Sequence, residues 1–217
     1  MISARVIREA VGWLTDDGFL AYPTETVWGL GACADRTPAI ERLLAWKGRA
    51  SDAPLAVGVD SIEGAIALEC EIDLHARRLM EAFWPGPLTV VVPCRRRFAP
   101  GVARRDGALG LRCSSHALAH ALCVAVAEAG LGPLTSTSLN RTGEAPAATF
   151  AAAREMVGER AEGVAADRRE APRVVFEAGC EAGGATPSSV VDCSGARPEI
   201  LRTGAIDRER LEESWAG

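Results

Sequence analysis

Short apolar runs bounded by glycine or proline alternate with amphipathic segments along almost the whole chain, and this alternation restricts the fold more than any other feature. Leu55-Ala56-Val57-Gly58-Val59, Leu88-Thr89-Val90-Val91-Val92, Gly110-Leu111-Arg112, Leu134-Thr135-Ser136, Val174-Val175-Phe176 and Val190-Val191-Asp192 have the length and branching of buried strands. Between them apolar residues recur at helical spacing, as Val6, Ile7, Ala10, Val11 and Leu14 do between Ser3 and Gly18. A cap at Thr37 and a proline behind it start a second helix that runs into Lys47-Gly48-Arg49, and the same signals predict helices near 61–68, 73–83, 115–129, 149–157 and 207–215. Such a chain is expected to form one α/β layered domain over 1–217, with 159–173 and the Gly-rich 179–187 as loop excursions.

Charge and cysteine usage narrow the function classes. With 24 Lys+Arg against 29 Asp+Glu, a net charge of -5, the surface is not built to coat nucleic acid, although a local basic groove stays open. Seven cysteines, at 33, 70, 94, 113, 123, 180 and 193, include no Cys-x-x-Cys pair, so neither a zinc ribbon nor a secreted disulfide framework fits. They read as reduced thiols packed as small apolar groups. No apolar run approaches the roughly 20 residues of a membrane span. Arg5 and Arg8 stand where a signal peptide would be apolar, so a cytoplasmic protein with no membrane association is expected.

Four polar segments could carry chemistry. Tyr22-Pro23-Thr24-Glu25-Thr26-Val27-Trp28-Gly29-Leu30-Gly31 follows the strand-like Phe19-Leu20-Ala21 and reads as a tight strand-to-helix turn whose hydroxyls and backbone N–H groups can bind a ligand; a capping box would use the same residues. Lys47 and Arg49 lie at a helix end, where cations can also be simple partners of the helix dipole. Ser136-Thr137-Ser138-Leu139-Asn140-Arg141-Thr142-Gly143 is too polar for a core strand and has the makings of a phosphate or ribose cradle, or of a hydrogen-bonded turn. The fourth, Gly183-Gly184-Ala185-Thr186-Pro187-Ser188-Ser189, leads into a strand, and its glycines would supply hinge freedom for a lid over 159–187.

Arg112 and Arg202 stand alone between apolar neighbours, where a guanidinium is costly unless it is paired or binds a ligand. Arg95-Arg96-Arg97 and Arg104-Arg105 read instead as solvated surface. His116 and His120 sit one helical turn apart, but no third ligand stands at a metal-binding spacing, and no P-loop or nucleophile elbow occurs.

In order, Pro23-Thr24-Glu25-Thr26-Val27-Trp28-Gly29-Leu30-Gly31, Lys47-Gly48-Arg49 with Pro54-Leu55, Trp84-Pro85-Gly86-Pro87-Leu88-Thr89, Gly110-Leu111-Arg112, Ser138-Leu139-Asn140 with Gly143, Ser188-Ser189-Val190-Val191-Asp192 and Leu201-Arg202-Thr203-Gly204 resemble the YrdC/TsaC family of L-threonylcarbamoyladenylate synthases. The resemblance implies a twisted mixed sheet flanked by helices around a concave basic cavity. It puts Lys47, Arg49, Ser138 and Asn140 in the catalytic set, and Arg49, Ser136, Ser138, Asn140 and Arg202 on ATP. Thr24, Thr26, Arg112 and Ser188 fall on threonine.

ATP with Mg2+, L-threonine and bicarbonate are the implied substrates, with no tightly bound metal. The tRNA-modifying machinery that installs threonylcarbamoyl on adenosine 37 is the implied acceptor. The chain looks like the short, single-domain type. Ala50 and Ala53 stand where the family often has Pro and Asn, and Gly58 and Ala108 replace polar residues common in some members; Ala50, Ala53 and Gly58 leave open a paralogous carbamoyl or adenylyl transferase acting on another amine. A basic cavity that binds double-stranded RNA or tRNA without chemistry is the other reading left open.

Overall fold

The computed structural model describes residues 2–49, 54–158, 170–176 and 179–216. The chain runs α1 (Ala4–Thr15), β1 (Phe19–Tyr22), β2 (Gly29–Ala32), α2 (Thr37–Lys47), β3 (Ala56–Gly58), α3 (Ile62–Ala67), α4 (Leu74–Phe83), β4 (Leu88–Pro93), β5 (Ala108–Arg112), α5 (Ala117–Glu128), β6 (Thr135–Ser138), α6 (Phe150–Val157), β7 (Arg173–Val174), β8 (Ser189–Asp192), β9 (Glu199–Arg202) and α7 (Arg208–Ala216). Among the described residues the strands form one mixed sheet in the order β7-β1-β2-β6-β3-β5-β4-β8-β9. β1–β7, β3–β5 and β4–β8 are parallel pairs, and the other neighbours are antiparallel.

Both faces of the sheet are covered, and β1 shows how. Its side chains alternate, so Phe19 and Ala21 join a core with Ile40 and Leu43 of α2 and Leu79 and Met80 of α4, while Leu20 and Tyr22 pack with Leu14 of α1 and Leu118 and Leu122 of α5. Each fully buried leucine of this kind contributes about 1.5–3 kcal/mol through removal of apolar surface from water. Side chains close the helix starts: the oxygens of Ser61, Asp73 and Thr149 accept from the N–H groups of Gly64, Ala76 and Ala152. No helix of the described residues is long and apolar enough to cross a membrane.

Four elements differ from the sequence reading. Residues 23–28 connect one strand to the next and do not form a strand-to-helix turn, because Gly29-Leu30-Gly31-Ala32 is a strand antiparallel to β1. Its glycines hide the strand pattern but are required by packing: a Cβ on Gly31 would lie 2.4 Å from the Thr135 carbonyl oxygen. The strand expected at 134–136 runs on through Thr137 and Ser138 as β6, paired between β2 and β3, and its second half is polar because it borders a cavity. At α2 the N-cap position falls on Arg36, whose side chain makes no capping bond, and Thr37 is the first helical residue. β9 is an edge strand that leaves Leu201 about half exposed, so its apolar content did not announce it.

Gly58 of β3 is fixed by its neighbour. A Cβ there would stand 2.5 Å from Cys123 Sγ, inside the core between the sheet and α5. Gly58→Ala is expected to lower stability by about 1–3 kcal/mol through overpacking. Cys123→Ala in the same chain should make the pair cost less than the sum of the single changes in denaturant unfolding. Strict additivity would remove the contact from the account.

Candidate active site

The cavity lies along the middle of the sheet and has a volume of about 280 Å³. β2, β6, β3, β5, β4, β8 and β9 all contribute to its wall, so residues distant in sequence meet there. Of the residues expected at the site, Thr24, Arg49, Arg112, Ser136, Ser138, Ser188 and Arg202 line it. Thr26, Lys47 and Asn140 stand behind that wall and hold lining residues in place.

On one side Thr24 and Thr26 fold into a tight hydroxyl pair. Their Oγ1 atoms are 3.0 Å apart, and Thr24 Oγ1 donates to the Val27 carbonyl at 2.6 Å. Arg112 Nη2 donates to Thr26 Oγ1 at 2.7 Å and to Glu25 Oε1 at 2.8 Å, and Ser114 Oγ donates to Glu25 Oε2. Burial alone would raise the Glu25 carboxyl, but the Arg112 charge and the hydrogen bonds from Ser114 and Arg112 outweigh it and hold it below the ordinary carboxylate value. Arg112 is thereby oriented in the cavity wall.

On the other side Lys47 organises the loop after β6. Its Nζ donates to the Ser138 carbonyl at 2.6 Å, to Asn140 Oδ1 at 2.7 Å and to the Asn140 carbonyl at 3.1 Å, while Ser138 Oγ donates to the same Oδ1 at 2.6 Å. The Asn140 amide then reaches the carbonyls of Arg141 and Glu144. Desolvation, and then the charge of Arg49, lower the Lys47 ammonium to about 8. Arg49 itself donates to the Pro54 carbonyl at 2.9 Å.

Arg202 crosses from the edge strand to Ser188, donating to its carbonyl at 2.8 and 3.0 Å and to its Oγ at 3.2 Å. Thr89 Oγ1 lies 3.1 Å from that same Ser188 Oγ. Desolvation, followed by the charges of Arg112 and Arg49, lowers the Arg202 pKa. These guanidiniums feel one another, and no acidic side chain stands among the described lining residues. Like charges gathered in one concavity favour a polyanionic ligand. On the same wall Arg112 Nε and Trp28 Nε1 are buried without a hydrogen-bond partner among the described residues, the kind of deficit a ligand acceptor relieves.

Sequence reasoning missed three contributors. Arg104 is not solvated surface: it lines the cavity, held by Asp106, by Asp192 at 2.6 Å and by Ser194 Oγ at 2.7 Å. Glu25 and Thr89 are the others. Glu25 had a legible signal, since a carboxylate between apolar strands needs a cation, and the lone Arg112 needed an anion. Arg202, grouped with Arg112 as a costly apolar-strand arginine, is exposed on the edge strand, while Arg112 is only 9% exposed.

The departures fall differently from expectation. Gly58 is not on the cavity wall, Ala108 is, and Ala50 and Ala53 lie outside the described residues. The lid segment is also partly outside them, at 159–169 and 177–178. Gly183 serves close approach instead of hinge freedom: its N–H donates to the Thr24 carbonyl at 2.9 Å, and a Cβ would lie 2.6 Å from the Glu25 carbonyl oxygen. His116 Nε2 meets the Glu181 carbonyl at 3.1 Å, and no group of three or more His, Cys, Asp or Glu among the described residues is placed to hold a metal.

Known proteins share this fold. The family profile Sua5_yciO_yrdC, described as telomere recombination, matches residues 13–204. A Bacillus subtilis protein named threonylcarbamoyl-AMP synthase is 34% identical over 95% of this chain and 55% of its own length. A Chromohalobacter salexigens protein of the same name is 40% identical over 70% of this chain and 80% of its own. The crystal structure of Pyrococcus abyssi Sua5 complexed with L-threonine superposes with a TM-score of 0.85 at 28% identity, over 99% of this chain and 58% of that one. The chain thus spans little more than half the length of two of these relatives. The profile match takes in every residue of the cavity wall, and the chain belongs to the Sua5/YciO/YrdC family.

Proposed function

We propose that this chain is an L-threonylcarbamoyladenylate synthase, forming threonylcarbamoyl-AMP and pyrophosphate from L-threonine, bicarbonate and ATP, with the adenylate passing to the machinery that modifies tRNA adenosine 37. The observation that carries the reading is the convergence of Arg49, Arg112 and Arg202 with the hydroxyls of Ser136, Ser138 and Ser188 on one wall free of described carboxylates. The names of the relatives and the threonine bound by the Pyrococcus abyssi protein support threonine as a substrate and threonylcarbamoyl-AMP as the product.

In this reading Arg112 takes the threonine carboxylate, with Thr24, Thr26 and Ser188 around the amino acid. The amine captures bicarbonate as a carbamate with loss of water, and a carbamate oxygen attacks the α-phosphorus of ATP, so that pyrophosphate leaves. Magnesium enters with the nucleotide as part of the substrate. No protein nucleophile is needed, and catalysis consists of positioning and of stabilising charge on the phosphates. Arg49 and Arg202 face that charge, Ser136 and Ser138 bind phosphate or ribose oxygens, and Lys47 with Asn140 holds Ser138 in register.

Purified protein given ATP, Mg2+, bicarbonate and threonine is expected to yield threonylcarbamoyl-AMP by mass spectrometry, and none when threonine is left out. Nucleotide binding without product would overturn the threonine assignment and turn the search to other amines. RNA binding that falls steeply with salt, with no ATP binding, would replace the enzyme by a binding module.

A further inference from the structure

We propose that Cys70 and Cys94 are a redox modification site, joined as an intramolecular disulfide when the protein meets a low-molecular-weight disulfide. Cys70 follows α3 and Cys94 follows β4, and the two face each other across an isolated antiparallel bridge. The Glu71 N–H donates to the Pro93 carbonyl at 2.8 Å and the Arg95 N–H to the Glu69 carbonyl at 3.1 Å, so backbone bonds bracket the pair on both sides. Neither cysteine N–H takes part: Cys70 donates to Ala65 and Cys94 to Gly107. This is the non-hydrogen-bonded register, in which facing Cα atoms approach to about 4.5 Å. That distance falls inside the roughly 4.4–6.8 Å range a disulfide spans.

The side chains are already together. Facing residues of such a bridge carry their side chains on the same face, and Cys94 Sγ donates to the Leu68 carbonyl at 3.3 Å. Cys70 is buried and Cys94 half-buried, so Cys94 is the sulfur that an external reagent meets first. Burial, and then the neighbouring Cys94, push the Cys70 thiol well above its ordinary value, which fits the same order of events. The Cys94 thiolate attacks one sulfur of the external disulfide and releases the first thiol. Cys70 then attacks Cys94 Sγ and releases the second. The protein gives up two protons and two electrons, which reduce the external disulfide to two thiols.

The bond would close a loop containing α4 and β4 and pin the segment before α4 to the end of β4. Because it constrains the unfolded chain, Tm should rise by roughly 5 °C or more. The test uses the full chain, treated with oxidised glutathione, unfolded in an alkylating reagent and weighed. Two of the seven cysteines should escape alkylation, no glutathione mass should remain, and one cross-linked peptide should carry Cys70 and Cys94. Cys70→Ala should keep glutathione on Cys94 as a mixed disulfide, with no rise in Tm. Seven alkylated cysteines, a lasting glutathione adduct on Cys94 in the unsubstituted chain, or a cross-link to another cysteine would overturn the proposal.

Discussion

Arg112→Gln is expected to lower stability by about 3–5 kcal/mol, the cost of leaving a buried charge without its partner. The stranded group is Glu25, whose side chain is 15% exposed and which would keep only Ser114. Glu25→Gln in the same chain should return most of that stability, because no uncompensated charge remains. Product formation should stay at least roughly ten-fold down in both variants, since the guanidinium facing the cavity is gone in each. A double variant no more stable than the single one would remove the ion pair from the account.

The pH dependence follows from the same pair. In the native protein the Glu25 carboxyl is held low, so its contribution is present above the ordinary carboxylate pKa and is lost as pH falls through the lowered value. Without Arg112, burial is opposed only by Ser114 and by the backbone N–H of Glu25 itself, and the folded-state carboxyl titrates at higher pH than in the native protein. The stability gap between Arg112→Gln and the native chain should therefore narrow from about pH 8 to about pH 5, read from urea unfolding at each pH.

Lys47→Ala should reduce turnover by roughly ten-fold or more while the fold persists. The lysine is a positioning residue here: it does not line the cavity, and its three N–H donors fix Ser138 and Asn140. Arg49→Ala, which removes a guanidinium from the wall itself, should lose a comparable factor. Unchanged pyrophosphate release in both would sink the assignment. Lys47 also gives nucleotide affinity a pH limit. As pH rises through about 8 the ammonium becomes a neutral amine with two N–H donors, one of its three acceptors is left bare and ATP binding weakens.

Stability moves the other way in that window. The folded pKa lies below the ordinary lysine value of 10.5, so the unfolded chain holds more protons between about 8 and 10.5, and the burden of burying Lys47 lifts as pH rises. Calorimetric titration of ATP across that range should show an inflection that is absent in Lys47→Ala.

The strands rich in branched residues were legible from short apolar runs such as Val90 to Val92, even though one face of β4 borders the cavity at Thr89 and Val91. Helices with side-chain caps were legible from Ser61, Asp73 and Thr149. β2 and the second half of β6 were not. One is built from glycines that neighbouring atoms crowd, the other from hydroxyls turned to a cavity, and neither follows an apolar alternation. Arg104 was hidden for a related reason: next to Arg105 it looks like solvated charge until Asp106, Asp192 and Ser194 are brought around it.

By itself the sequence determined the α/β layering, the ordered set of motifs and the chemical character of the site, because local periodicity and residue type carry those along the chain. Only the tertiary structure decided which cations face the cavity and which stand behind it. Lys47 and Arg49 are two residues apart, yet one ties down a loop and the other lines the wall. That division depends on the pairing of β6 with β2 and β3, which brings Ser138 and Asn140 within reach of Lys47 across more than ninety residues of chain, a placement no local pattern encodes.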